Sequence, residues 1–153
     1  MTRQADLGTP ARPMDVYLGV DVEVWWDGWD DIDRKFPACF REYIHGPTRR
    51  GDYGLPYQLE RLTDCGLRAP FFVEPLFSAR FGADALAQVV GLISRARQDV
   101  QLHLHTEWVD EARTPLLDGV TPLTKKRQFL RYFSAGEQRQ LVAVAARLRE
   151  QAG

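Results

Sequence analysis

At 153 residues the chain has the length of one domain and enough material to bury a core. Its 44% hydrophobic and 27% charged residues are ordinary for a globular protein, and a formal net charge of −1 leaves no long-range field to attract nucleic acid or acidic lipid. No apolar run approaches the roughly 18–20 residues needed to span a bilayer, so neither nucleic acid nor membrane is expected as a partner.

Residues 1–13 mix Thr, Gln, Asp, Gly, Pro and Arg without periodicity and read as a disordered tail before one domain over 14–153. The tail lacks the apolar centre of a secretory signal, which points to the cytosol. Val16 to Val24 is a run of β-formers, apolar on both faces until Asp21 and Glu23, as in a central parallel strand. Trp25, Trp26 and Trp29 follow in a stretch with neither helical nor strand period, read as an irregular loop to Arg50. The tryptophans either pack over the mouth of the core or, with Trp108, form an apolar wall for a substrate such as a sugar ring. His45 is a lone loop histidine.

Gly54-Leu55-Pro56 opens a helix whose stripe is Leu55, Leu59, Leu62 and Cys65, with Gly66 as its stop. Cys39 and Cys65 have no ligand-like spacing and read as buried reduced thiols. Arg68 to Leu76 is the second strand. Asp84 caps a second helix with its apolar face on Leu86, Val89, Val90, Ile93 and Ala96. Asp99-Val100 enters the third strand, which continues into His103 and His105. The segment from Asp110 to Thr124 is turn-like, and Lys125-Lys126-Arg127 reads as a solvated patch. Ser134-Ala135-Gly136-Glu137 is a capping box, followed by a helix burying Leu141, Val142, Val144, Ala145 and Leu148. Strand, helix, strand, helix, strand implies right-handed crossovers and a parallel α/β sheet, with sites at the C-terminal ends of the strands.

Two pairs of side chains carry the chemistry. In extended backbone alternate residues share a face, so Asp21 pairs with Glu23 and His103 with His105. Two carboxylates and two imidazoles at neighbouring strand ends are the donor set of a divalent-metal site. Each pair also has a plain reading, as a helix cap, an ion pair or a chance His-x-His.

The segments YLGVDVE, GLPYQLERLTDCGLRAPFFVEPLF and QDVQLHLHTEW, in this order, resemble the front part of a polysaccharide deacetylase of the NodB-homology group (carbohydrate esterase family 4). The acidic motif, the Ala69-Pro70-Phe71-Phe72-Val73 strand and the Asp99 to His103 strand carry the likeness, which covers about residues 16–108. It implies a deformed (β/α) barrel, a divalent cation such as zinc, and hydrolysis of N- or O-acyl groups on sugars or of related carbon–nitrogen bonds. By position it makes Asp21 the base, Glu23 the metal carboxylate and His103 the first imidazole ligand. The family's second histidine falls four residues after the first, where this chain has Glu107. Either His105 or Glu107 completes the site, and strand geometry and ligand softness favour His105.

The family's later motifs, among them a distal histidine acid, have no counterpart here, so the barrel is expected to be truncated. A sheet cut after its third strand should keep an open edge and self-associate. The readings in competition are a metal-dependent deacetylase-like hydrolase of weak activity, a non-catalytic metal- or carbohydrate-binding protein, and a fragment needing a partner chain.

Overall fold

The computed structural model describes residues 14–153; the tail expected over 1–13 lies outside the described residues. The chain enters at β1 (Val20–Val22), then forms helix α1 (Ile32–Phe40), which runs on into a π-helical turn over Arg41–His45. A short hairpin follows, β2 (Pro47–Thr48) and β3 (Gly51–Asp52), then α2 (Leu55–Asp64) and β4 (Pro70–Val73). Helices α3 (Ser78–Phe81) and α4 (Ala83–Arg95) lead to β5 (Asp99–Leu102). Two 3-10 turns, Thr106–Asp110 and Leu130–Tyr132, precede α5 (Ala135–Gln151).

Strands β1, β4 and β5 form a parallel sheet in that order, so the expected α/β architecture holds. No barrel closure is present among the described residues. The register aligns Val20, Phe71 and Val100, then Asp21, Phe72 and Gln101, then Val22, Val73 and Leu102. Phe71, Val73 and Val22 are buried in one core with Leu55, Leu59 and Leu62 of α2 and Leu86, Val89, Val90 and Ile93 of α4. Asp21 and Gln101, on the opposite face, are exposed. The helices therefore cover one face of the sheet. Helix α5 buries Leu141 and Ala145 and packs on α4 and β5.

Several expectations are corrected. The first strand pairs over Val20–Val22 alone, and Val16 and Tyr17 before it are 83% and 91% exposed. The stretch read as irregular to Arg50 contains α1 despite Pro37 inside it. Ile32, Phe36, Phe40 and Ile44 recur every four residues and turn inward, which outweighs the hydrogen bond that Pro37 cannot make. The π turn ends at Gly46, with φ 58°, where the backbone crosses the start of α2: a Cβ on Gly54 would lie 2.3 Å from the Ile44 carbonyl oxygen. Cys65 is exposed because it lies past the last buried turn of α2, and Cys39 is only partly buried. Gly82, not Asp84, caps α4, and Val142 is largely exposed. The capping box of α5 is present, with Ser134 and Glu137 each accepting from the other's amide.

Candidate metal centre

The sheet's hydrogen bonding delivers the site. The Glu74 amide donates to the Val22 carbonyl (3.1 Å) and the His103 amide to the Val73 carbonyl (3.0 Å). The row past the paired residues is therefore Glu23, Glu74 and His103, side by side at the C-terminal ends of β1, β4 and β5. His105 lies two residues further on in extended backbone and returns to the same face.

Three ligating atoms converge there. Glu23 Oε2 lies 2.5 Å from His105 Nε2 and 3.2 Å from His103 Nε2, and the two Nε2 atoms are 3.0 Å apart. Ligands about 2.0–2.1 Å from a tetrahedral zinc ion stand roughly 3.3 Å from one another, near the 3.0 and 3.2 Å separations and wider than the 2.5 Å pair. Proton counting gives the same answer. Two protonated Nε2 atoms at 3.0 Å would point protons at each other, while two bare ones would set lone pair against lone pair beside a carboxylate. A single shared proton serves the three atoms poorly, whereas one cation between them would take all three lone pairs. Glu23, His103 and His105 are the group of the described residues with this geometry.

The electrostatics follow the same contacts. Burial pushes the Glu23 carboxyl up, but the Trp25 indole N–H and the two imidazoles outweigh it and hold it below the usual carboxylate range. Burial pushes the His105 imidazole down, and the flanking carboxylates of Glu107, Glu23 and Glu74 more than reverse this, leaving it raised.

Glu74 is not among the residues that the sequence pattern singles out. It is 2% exposed, and its two carboxylate oxygens accept the amides of Leu76 (2.8 Å) and Phe77 (3.1 Å), fixing the turn into α3 behind the site. Burial pushes this carboxyl up to about 8, against the lowering effect of those two amides. The signal available was the one used for Glu23: an acid at a strand's C-terminal end, followed here by Pro75.

The tryptophans divide into two roles. Trp108 is 2% exposed and packs edge-on against Trp26 (5.3 Å between ring centres) and Trp29 (5.4 Å), so it has no face left for a substrate. Trp25, Trp26 and Trp29 are partly exposed, and the Trp25 ring meets His105 edge-on at 4.6 Å, forming a wall beside the ligating atoms. Charged contacts hold this cluster in place. Arg80 pairs with both Asp33 oxygens (3.0 Å each) and with Glu111 (2.7 Å). Lys126 also pairs with Glu111 and lies over the Trp29 ring.

All five residues of the Thr106–Asp110 turn are buried. Asp110 binds the Arg127 guanidinium and accepts the amides of Leu123 (2.8 Å) and Arg127 (2.9 Å), while Thr106 donates to the Arg127 carbonyl. Of the patch expected to be solvated, Lys126 and Arg127 are instead partly buried and paired; only Lys125 is exposed.

Asp21 is exposed and stands outside the three-atom cluster, although it lines the same cleft of about 180 Å³ as Glu23, with Tyr43, Leu55 and Gln58. Glu107 also stands outside it: its nearer oxygen faces His105 Nδ1 at 3.8 Å, on the side of the ring away from Glu23. His45 contacts Gln88 (3.3 Å) and Phe40 instead. Compared with family models, curated proteins and solved structures, the chain matches none. No helix among the described residues is long and apolar enough to cross a membrane.

Proposed function

We propose that the protein is a metal-dependent hydrolase of the polysaccharide deacetylase type, acting on N- or O-acyl groups of sugars or on related non-peptide carbon–nitrogen bonds. The observation that carries this reading is the convergence of Glu23, His103 and His105 at the C-terminal end of a parallel sheet. That is also where the resemblance to the deacetylases puts its metal. The three side chains would hold a divalent cation, with zinc suited to a nitrogen-rich donor set. Such an ion would supply Lewis-acid polarisation of an acyl carbonyl. Asp21, which lines a cleft with Glu23, would be the carboxylate that accepts a proton from an attacking water. Trp25, Trp26 and Trp29 form the apolar side against which a sugar ring would lie. In this reading the β/α units are those of a deformed barrel, and the outer edges of β1 and β5, which pair with no strand among the described residues, would favour association with a second chain.

A second reading, a non-catalytic metal- and carbohydrate-binding protein, is favoured by one observation. The chain's third histidine, His45, is engaged with Gln88 and Phe40 and supplies no acid to the site.

The deciding experiment incubates zinc-loaded protein with an acetylated chito-oligosaccharide. The hydrolase reading expects slow acetate release, abolished in His103→Ala and lowered about 10²–10⁴-fold in Asp21→Asn. Stoichiometric zinc without acetate release supports the binding protein instead, and release that survives metal removal contradicts both.

A further inference from the structure

We infer that Glu107 is the positioning residue of the metal centre: its carboxylate accepts a hydrogen bond from the Nδ1–H of His105 and so fixes Nε2 as the ligating nitrogen. The inference deepens the metal reading and rests on it for its affinity arm.

Glu107 is 6% exposed, and its Oε2 is the buried side-chain oxygen without a hydrogen-bond partner among the described residues. A buried carboxylate oxygen left unpaired is costly, so a donor is expected nearby. The side-chain donor that faces it is His105 Nδ1, at 3.8 Å, a few tenths of an ångström beyond hydrogen-bond reach. The opposite ring nitrogen, Nε2, is committed to the convergence point with Glu23 and His103. A neutral imidazole that offers a lone pair at one nitrogen carries its proton on the other. His105 ligating through Nε2 must therefore present Nδ1–H to the one oxygen that lacks a donor, and a small rotation of the ring closes the contact.

The backbone explains why the partner is Glu107. His105 is the last extended residue before the 3-10 turn, which carries Glu107 beneath the ring instead of continuing the strand alternation. Glu107 therefore does not join Glu23 on the ligand side. A carboxylate held behind a ligating imidazole sets its tautomer and orientation and strengthens it as a ligand, typically by 10–100-fold in metal affinity.

The test has two arms. In the first, zinc affinity is measured by chelator competition for wild type, Glu107→Gln and Glu107→Leu, with the metal-free melting temperature as control. Expected is a loss of about 10-fold for Gln, which still accepts one hydrogen bond, and approaching 100-fold for Leu. The metal-free melting temperature should change little in Glu107→Gln, whose amide oxygen can still accept from the Nδ1–H. Unchanged zinc affinity in both variants overturns the inference, as does complete loss of binding in Glu107→Gln, which would make Glu107 a ligand.

The second arm needs no metal. Long-range nitrogen–proton NMR correlation on the metal-free protein should place a proton on His105 Nδ1 in wild type. In Glu107→Leu that proton should exchange much faster. A bare Nδ1 in wild type overturns the inference whether or not zinc binds, whereas absent zinc binding with Nδ1 protonated sinks only the metal reading.

Discussion

The two ends of the parallel sheet offer different things to a ligand. At the N-terminal end the loops before β4 and β5 enclose a cleft of about 480 Å³, lined by Arg68, Ala69, Pro70, Arg97, Gln98 and Asp99. At the C-terminal end the cleft beside Asp21 and Glu23 holds only about 180 Å³. The larger space gathers nothing: Arg68 and Arg97 are both exposed and no ligating atoms meet there. The smaller one adjoins three donor atoms within hydrogen-bonding distance of one another. Room alone does not make a site. The strand register does, by carrying Glu23, Glu74 and His103 into one row at the end where parallel sheets place their ligands.

Substitutions at the two ends should separate this account from one based on cavity size. The largest effect is expected from Glu74→Ala, which opens a cavity and strips two buried amides of their acceptors. A loss of about 3–5 kcal/mol in denaturant unfolding is predicted. Next is the response to metal. At a free zinc concentration 100 times its dissociation constant, wild type should gain about 2.7 kcal/mol of stability. His103→Ala should gain almost nothing, while Arg68→Ala, beside the larger of these two clefts, should respond as wild type does; a thermal melt with and without zinc reads all three. Within the centre itself, His105→Ala should weaken metal binding more than Glu107→Gln.

A smaller effect is predicted for Asp110, which ties the turn under the site to Arg127. Burial pushes its carboxyl up, but the Arg127 guanidinium and the amides of Arg127 and Leu123 hold it below the usual range. A depressed folded pKa means that the stabilisation is complete above the unfolded value of about 3.9 and is lost as pH falls through the folded value. Asp110→Asn should therefore lose about 2 kcal/mol near neutrality. It should also fall less steeply with pH below about 4 than wild type does, as followed by urea unfolding across pH. The smallest effect belongs to the N-terminal end. Arg97 follows α4 with φ 56°, a left-handed conformation that suits glycine, so Arg97→Gly should stabilise by about 1 kcal/mol without touching metal binding.

Much of this was legible in the sequence where a local rule acts alone. The stripe of Leu55, Leu59 and Leu62, that of Leu86, Val89, Val90 and Ile93, and the Ser134 capping box each depend on a few neighbouring residues. Period-two alternation was enough to pair His103 with His105 and to send Glu23 toward them. Helix α1 was hidden because Pro37 and the run of tryptophans before it signal a loop, although Ile32, Phe36, Phe40 and Ile44 carry a helical period. The roles of Glu74, Glu107 and Trp108 depend on what packs against them from distant segments, which no local pattern encodes. Asp21 shows the limit from the other side: its alternation with Glu23 was legible, yet strand geometry leaves it outside the cluster.

The central claim is that Glu23, His103 and His105 bind one divalent cation. The most direct measurement is metal stoichiometry after equilibration with zinc and exhaustive dialysis, made on wild type and on Glu23→Gln. The account predicts one ion per wild-type chain and a large loss in the variant, with both proteins folded by circular dichroism. Equal zinc in the two, or none in wild type, would contradict it.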